Sequence, residues 1–240
     1  MRRIHLARNR SAFGFVVRQE RVRLMVISRP KQISPDKKLP AAVRWGALIW
    51  LAVWIPAYWH AWGVANFLHL CDLAVFLTCI GLWTSNALLL ASQAVSSIVV
   101  DLIWTADAAS TFFLKHPLVG GTEYLLDPHI AHWIRLLSLF HVVLPALLLW
   151  ALTKVGYDRS AWTLQTAIVV ATFIASRFTN PAANINYAFR DPFWHRQLGP
   201  APIHVLLCIL AMAIVVYLPP HLVLLRVYCR GTGNRRERAS

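Results

Sequence analysis

The chain has 240 residues, of which 58% are hydrophobic and only 14% are charged, and its formal net charge is +14. Soluble domains carry about a quarter charged residues, so this composition excludes an ordinary soluble domain and indicates a membrane protein. The excess charge lies in two tails, because residues 1–44 carry a net +10 and residues 226–240 a net +4, whereas residues 45–225 are neutral. No nucleic-acid-binding motif accompanies the tails. We therefore predict no nucleic-acid partner and attribute the charge to the positive-inside rule and to anionic lipids.

The first segment, residues 1–42, is predicted to be a basic cytoplasmic tail. It contains no long apolar run, and the apolar stretch that follows is too long for the core of a cleavable signal peptide. Met25 is an alternative to Met1 as the start of the protein.

Six apolar segments follow, each close to the about 20 helical residues that cross a bilayer core of ~30 Å. The apolar run 67–104 is too long for one crossing, and the sequence GLWTSN at 81–86 divides it. No alternation typical of a membrane barrel occurs. We predict an all-α polytopic membrane helical bundle at residues 43–225 and a second basic cytoplasmic tail at 226–240. The predicted spans are 43–62, 67–82, 87–105, 132–152, 161–178 and 203–225.

An even number of crossings places both termini on one side of the membrane. The short loop that carries Lys154 and Arg159 falls on the same side, and the positive-inside rule makes that side cytoplasmic. We therefore predict a multi-pass protein of the cytoplasmic membrane, with the two long loops, 106–130 and 179–202, on the opposite face. The sequence leaves the oligomeric state open.

The second predicted span contains three chemically active residues, His69, Cys71 and Asp72. An ionisable residue at the bilayer centre costs roughly 2.5–3.5 kcal/mol, so it needs a partner, a wet cavity or a function. On a helix, His69 and Asp72 share a face at positions i and i+3, while Cys71 points about 100° away from Asp72. Either the pair satisfies itself and Cys71 is packing, or all three belong to a site.

Further polar residues lie in the third and fourth predicted spans. Asp101 and Asp107 are predicted at the end of the third span, and polar residues in spans usually face the bundle interior. His141 lies deep in the fourth span, a few residues before Pro145. A deep histidine is a candidate proton acceptor or thiolate partner, or else it is bonded to a backbone carbonyl or a hydroxyl group.

The two long loops offer weaker patterns. His129 and His132 are spaced to share a metal ion, but a metal site needs three or four ligands, so we predict no metal and no cofactor. The segment 178–189 is rich in asparagine, and Asn184 and Asn186 suit either lipid headgroup binding or loop closure. The chain contains no phosphate-binding loop, dinucleotide fingerprint or nucleophilic serine elbow.

Four stretches occur in the order found in a known family, and they are HLCDLAVFL (69–77), FHVVLP (140–145), NINYAF (184–189) and LGPAPIHVLLCILAMAIVVYLP (198–219). In this order they resemble YwaF-like bacterial integral membrane proteins, over residues 66–222. That family is distantly similar to a eukaryotic transmembrane cysteine acyltransferase, which works on phospholipid acyl chains.

The resemblance implies thiol chemistry in the membrane, with Cys71 as the nucleophile and His141 as the general base. A thiol is a poor nucleophile until it is ionised, and a paired histidine commonly removes its proton. In that mechanism Asp72, Asp107 or Asn186 orients the histidine or binds the headgroup. The other residues that we predict to be supporting or substrate-binding are His69, Asp101, Asn184 and Tyr187.

Three functional hypotheses result, and in each the partners are membrane lipids. The first is a thiol-dependent acyltransferase that acts on phospholipid acyl chains. The second is a transport or binding module in which His69, Asp72, Asp101 and His141 form a path for protons or a small solute. The third is a structural membrane subunit whose polar residues only hold helices together.

Overall fold

The computed structural model describes residues 38–229, and within them the regular structure is entirely helical. The bulk of the predicted N-terminal tail, the Met25 alternative and the end of the predicted C-terminal tail lie outside the described residues. Short 3₁₀ helices at Val64–Leu68, Glu123–Leu126 and Ile185–Tyr187 lie in the loops, and a π-helical stretch, Ala211–Tyr217, joins α7 to α8. The α-helices are α1 (Ala41–Trp62), α2 (Leu70–Thr84), α3 (Ala87–Leu114), α4 (His132–Leu137), α5 (Phe140–Val155), α6 (Ala161–Ser176), α7 (Ala201–Leu210) and α8 (Leu218–Cys229).

The helices confirm a helical membrane bundle. Four segments are long and apolar enough to cross a bilayer, namely Ala41–Trp62, Ala87–Leu114, His132–Val155 and Ala201–Tyr228. The remaining two predicted spans correspond to the shorter apolar helices α2 and α6. Each of the six predicted spans therefore has a helical counterpart.

The division of the long apolar run falls where the sequence predicts it. Ser85 ends α2 in the left-handed conformation, with φ of 51°. The side chain of Asn86 caps α3 by accepting a hydrogen bond from the amide of Leu89, at 3.0 Å. Gly81 then lets α2 and α3 pack closely, because a Cβ atom at this position would lie 2.9 Å from the Leu90 side chain.

The third span is longer than predicted. The prediction ended it at residue 105, but α3 continues to Leu114 and ends where Lys115 takes a left-handed conformation. The extension, residues 106–114, contains three alanines and no Gly or Pro, so nothing in it breaks the helix. Asp101 and Asp107 therefore both lie within the helix rather than at its end.

The predicted shared face of His69 and Asp72 is wrong. α2 begins at Leu70, and His69 precedes it in an extended conformation, with φ of −58° and ψ of 136°. Gly63 ends α1, and the 3₁₀ helix Val64–Leu68 fills the connection that the prediction gave partly to the second span. The helical spacing argument therefore does not apply to His69.

α3 is central in the bundle, where it packs against α2, α5 and α6. The interior has a buried side chain from almost every helix, including Trp54, Leu82, Leu90, Leu148, Val169 and Tyr217.

Connections gather at the two ends of the bundle. We call the end that carries residues 63–69, 115–131 and 177–200 the loop end, and the end that carries 85–86 and 156–160 the turn end. At the turn end, the amide of Leu39 donates to Ser85 Oγ at 3.2 Å, and the Tyr228 hydroxyl donates to the carbonyl of Leu149 at 3.0 Å. Both ends of the described chain thus lie at the turn end, as an even number of crossings requires.

Candidate functional site

Asn186 fixes the start of the helix that carries Cys71. Its Oδ1 accepts from the amide of Leu70 at 3.0 Å, and its Nδ2 donates to the carbonyl of Leu68 at 2.7 Å and to Ser176 Oγ at 3.0 Å. Asn186 reaches these partners from a left-handed backbone conformation, with φ of 52°, which asparagine tolerates better than most residues. The predicted site residue Asn186 therefore positions α2, and both of its amide hydrogens are already bonded.

Asn184 closes its own loop. Its Oδ1 accepts from the amides of Phe189 and Arg190, both at 3.0 Å, and its Nδ2 donates to the carbonyl of Arg190 at 2.9 Å. Asn184 therefore has the second of its two predicted roles, loop closure, rather than lipid headgroup binding.

Tyr187 is exposed, and its side chain lies between the two long loops. A Cβ atom at Gly121 would lie 3.6 Å from the Tyr187 hydroxyl oxygen. Burial of the hydroxyl and the nearby carboxylates Asp107 and Glu123 raise the pKa of Tyr187, so the phenol stays protonated. The backbone of Tyr187 is held by His204, whose Nε2 donates to the Tyr187 carbonyl at 3.0 Å. Sequence analysis did not single out His204, because a lone histidine among apolar residues carries no pattern.

Cys71 and Asp72 lie in the first turn of α2. The thiol of Cys71 is 3.9 Å from Asp72 Oδ1, and Asp72 Oδ2 accepts from Asn66 Nδ2 at 2.7 Å. A carboxyl group in the first turn also interacts favourably with the helix dipole. The partner of Asp72 is therefore Asn66, on the 3₁₀ helix, and not His69 as the helical spacing suggested.

Asp101 is a buried carboxyl group, 1% exposed, in the middle of the bundle. Within residues 38–229, no hydrogen bond of ordinary geometry reaches either of its oxygens, although Ser97 lies close by on the preceding turn. Cys71 and Tyr217 lie within electrostatic range of this carboxyl group. The hydroxyl groups of Ser97 and Tyr217 are also buried without a hydrogen-bond partner in the described part of the chain.

Buried polar groups without partners cost free energy, so water or a bound molecule has to satisfy them. Asp101, Ser97 and Tyr217 form what we call the central polar cluster, since Ser97 and Tyr217 both lie near the Asp101 carboxyl group. Within the described residues no hydrogen bond of ordinary geometry reaches their side-chain oxygens, which distinguishes the cluster from the asparagine contacts above.

His141 is buried at the start of α5. Its Nδ1 lies 2.8 Å from the carbonyl oxygen of Ser138, and a carbonyl only accepts, so Nδ1 carries the proton. Nε2 then bears the lone pair, and no described residue donates a hydrogen bond to it. The ring stacks on Trp104, with centroids 4.1 Å apart and an interplanar angle of 10°, and on Phe140, at 4.0 Å. The predicted bond of His141 to a backbone carbonyl is confirmed. Because this bond fixes the ring, Nε2 is a proton acceptor in a fixed position.

Cys71 and His141 share neighbours, although no hydrogen bond joins them within the described segment. Tyr124 lies within electrostatic range of Cys71 and Asp72, and its hydroxyl approaches Ser138 and Trp104, the two residues that hold His141. Burial raises the pKa of Tyr124 well above its usual range, so its hydroxyl is a neutral donor.

His69 lies on the same side of the bundle as these residues, within electrostatic range of His141. Sequence analysis missed Tyr124, since a single aromatic residue in a long loop gives no signal of this contact.

Asp107 belongs to the loop end rather than to the central polar cluster. Its Oδ1 accepts from the amides of Val119 at 2.6 Å and of Gly120 at 3.2 Å, and its Oδ2 accepts from the hydroxyl of Thr122. These bonds fasten the loop 115–131 to α3, which is an anchoring role.

Among residues 38–229, no group of three His, Cys, Asp or Glu side chains is arranged to hold a metal ion. Of the histidine pair considered for metal binding, His132 uses Nδ1 to accept a hydrogen bond from Arg135.

Comparison with known proteins finds no relative of this chain. No protein-family model matches the chain, and searches of the curated proteins and of the solved structures return no match.

Proposed function

We propose that this protein transfers acyl groups of membrane phospholipids through the thiol of Cys71, as the resemblance to YwaF-like proteins implies. The observation that carries the proposal is the unbonded Nε2 of His141, in a tautomer fixed by Ser138, beside neighbours that His141 shares with Cys71. A general base has to offer a lone pair near the proton that it removes, and geometry is the first requirement.

Each group has a task in the proposed reaction. The carboxyl groups of Asp72 and Asp101 beside the thiol do not stabilise a thiolate, so the proton has to pass to a base, which is His141. The Cys71 sulfur attacks the ester carbonyl carbon, a C–S bond forms, and the C–O bond to the glycerol breaks. The leaving lysophospholipid oxygen takes the proton back from His141. A hydroxyl acceptor then attacks the thioester carbonyl carbon and loses its proton to His141. The C–S bond breaks, and the departing sulfur takes that proton from His141 to restore the thiol.

The basic tails support an orientation for this chemistry. Because both ends of the described chain lie at the turn end, the positive-inside rule puts that end in the cytoplasm and the loop end on the outer face of the cytoplasmic membrane. The start of α2 belongs to the loop end, whereas His141 lies nine residues into the span His132–Val155, so the proposed thiol chemistry takes place inside the membrane, on the side of the loop end.

The experiment is acyl labelling of the purified full-length protein in lipid, with an acyl-thioester probe and with phospholipids that carry a labelled acyl chain. We expect a hydroxylamine-sensitive label on the wild-type protein and none on Cys71→Ala. Cys208→Ala is the matched control, because Cys208 is also a partly buried cysteine beside a histidine, with 3.8 Å between its sulfur and His204 Nε2. Equal labelling of wild type and Cys71→Ala would refute the proposal.

The role of His141 is tested separately by the rate of thiol alkylation at neutral pH. Replacing a positioned base typically costs 10²–10⁴-fold in rate, so His141→Gln should slow acyl labelling by about 100-fold or more. It should also slow the alkylation of Cys71 and leave that of Cys208 unchanged. An unchanged alkylation rate at Cys71 would remove His141 from the proposed mechanism.

A second candidate function is favoured by Asp101. Buried carboxyl groups in membrane spans commonly mark proton or ion pathways, and this one has no hydrogen-bond partner in the described residues. In liposomes that contain a pH-sensitive dye, a proton path would be abolished by Asp101→Asn and would survive Cys71→Ser. Acyl transfer would show the opposite sensitivity to Cys71→Ser.

A further inference from the structure

Arg135 is a buried cation whose charge is not balanced by its contacts. The residue is 8% exposed, and it lies in α4, at the loop end of the bundle. Its Nη1 donates to the carbonyl of Leu125 at 2.6 Å and its Nη2 donates to His132 Nδ1. Neither acceptor carries a negative charge. Its Nε is buried and has no hydrogen-bond partner among the described residues.

A groove of about 670 Å³ begins at this guanidinium and runs along α3. Its volume lies within the range of roughly 300–1,000 Å³ that small-molecule sites occupy. Apart from Arg135 and its neighbour His132, the groove is almost entirely apolar, and it is open to the surface, since Phe112 is 58% and Leu136 61% exposed. The other apolar or weakly polar walls include Trp104, Thr105, Ala108, Ala109, Leu125 and Val142.

The charges around the mouth of the groove favour an anion. Lys115 follows α3, and its ammonium lies 5.2 Å from the ring centroid of Phe112, which lines the groove. The carboxylates of the same loop, Glu123 and Asp127, accept from loop amides, and neither lines the groove. Arg135 is therefore the charged group in the wall of the groove, and Lys115 lies against Phe112, another of its walls.

The groove lies on the outside of the bundle, where lipid chains are its surroundings. Trp133 lies beside Arg135 and is 55% exposed, as expected of the aromatic residues that lie at the level of the headgroups. The site therefore combines a cation at headgroup depth with an apolar channel along a span. This combination suits a molecule that has a negatively charged headgroup and a hydrocarbon tail.

We propose that this groove binds an anionic phospholipid, with the headgroup phosphate on Arg135 and one acyl chain along α3. A phosphate oxygen accepts from the N–H groups of Nη1 and Nη2 that the bonds to Leu125 and His132 leave free, because each terminal nitrogen carries a second hydrogen and arginine is suited to phosphate. His132 adds a donor, because Nδ1 accepts from Arg135 and the proton of the neutral ring is therefore on Nε2. Lys115 adds long-range attraction.

The groove also has a wall in common with the candidate site. Trp104 lines the groove and stacks on His141, with ring centroids 4.1 Å apart. An acyl chain in the groove is therefore separated from the imidazole by one indole ring. The lipid site itself does not depend on acyl transfer, because it needs only the charge and shape of the groove.

The test measures lipid binding to the delipidated full-length protein by native mass spectrometry and by thermal unfolding. The probes are dioleoyl phosphatidylglycerol, dioleoyl phosphatidylcholine and soluble glycerol phosphate. We expect retention of one phosphatidylglycerol in preference to phosphatidylcholine, and on the order of ten-fold weaker binding by Arg135→Gln. Arg159→Gln, which removes an exposed arginine at the turn end, should bind as the wild type does.

A second variant keeps the proposal testable if Arg135→Gln does not fold. Ala109→Phe adds bulk to the apolar groove, leaves Arg135 unsubstituted and should weaken phosphatidylglycerol binding. The control Ala52→Phe, on an exposed face of α1, should bind as the wild type does. Unchanged binding by Ala109→Phe would overturn the proposal, and so would equal protection by glycerol phosphate, which would assign the site to a free phosphate. Cys71→Ala should bind the lipid normally, so a failure of acyl transfer is distinguishable from a failure of lipid binding.

Discussion

Two aspartates on α3, less than two turns apart, have opposite surroundings. Asp107, at the loop end, accepts hydrogen bonds from two backbone amides and one hydroxyl group. Asp101, in the middle of the bundle, is equally buried but accepts none in the described residues. Buried carboxyl groups therefore have two different roles in this helix. Asp107 holds a loop in place, whereas Asp101 remains available to water, a proton or a ligand.

The largest effect on stability should come from removing the bonded carboxyl group. Asp107→Ala leaves the amides of Val119 and Gly120 and the buried hydroxyl of Thr122 without their acceptor. Since hydrogen bonds to charged groups contribute about 1.5–3 kcal/mol each and do not add fully, we expect a loss of about 3 kcal/mol in the free energy of unfolding. Unfolding in detergent, followed by tryptophan fluorescence, measures the loss.

Asp107→Asn is the matched variant for that measurement. Asparagine keeps one oxygen acceptor, so the loss should be roughly half of that in Asp107→Ala. If Asp107→Ala unfolds as the wild type does, the loop 115–131 is not held by this carboxyl group, and the contrast with Asp101 disappears.

An intermediate effect is expected at Asn186, which bonds neutral groups. Asn186→Ala removes two hydrogen bonds at the start of α2 and one to Ser176 at the end of α6. Neutral bonds contribute about 1 kcal/mol each and do not add fully, so we expect a loss of about 2 kcal/mol. Because α2 carries Cys71, the rate of thiol alkylation at Cys71 should change as well. Asn184→Ala breaks bonds of the same kind within its own loop, so it should affect stability but not the alkylation of Cys71.

The smallest effect on stability is expected at Asp101. Asp101→Asn breaks no hydrogen bond of ordinary geometry and removes an ionisable group from the bundle interior, so the free energy of unfolding should change by less than about 1 kcal/mol. Acyl labelling and proton flux, measured on the same preparation, then report what the carboxyl group does. A loss as large as that of Asp107→Ala would mean that Asp101 is a structural residue, as the third functional hypothesis holds.

The sequence predicts the bundle well because the bilayer imposes a simple rule. Six apolar segments of suitable length, and the break at 81–86, follow from composition and from turn-forming residues alone. The end of the third span is missed, because the prediction allowed one bilayer crossing and Asp107, Ser110 and Thr111 interrupt the apolar run beyond it. His69 is misplaced for a related reason, since the 3₁₀ helix before α2 has no distinctive periodicity.

The candidate site is less accessible to sequence analysis, because its partners come from distant parts of the chain. Cys71, Asp72 and His141 attract notice as costly residues in apolar segments. Nothing in the sequence pairs Asp72 with Asn66 or brings Tyr124 towards Ser138. The contrast between Asp101 and Asp107 is equally invisible, because both are aspartates on one helix and only the folded loop supplies amides to one of them.

The π-helical stretch Ala211–Tyr217 determines which residues form the central polar cluster. A π-helix bonds residue i to i+5, so it behaves like an α-helix that contains an inserted residue. Trp162 Nε1 donates to the carbonyl of Ala213 at 2.8 Å, which stabilises the wider turn. Tyr217, the last residue of the stretch, is completely buried. Without the extra residue, Tyr217 would rotate by about 100° around the helix axis. The composition of the cluster therefore depends on the number of residues along one helix as well as on their identity.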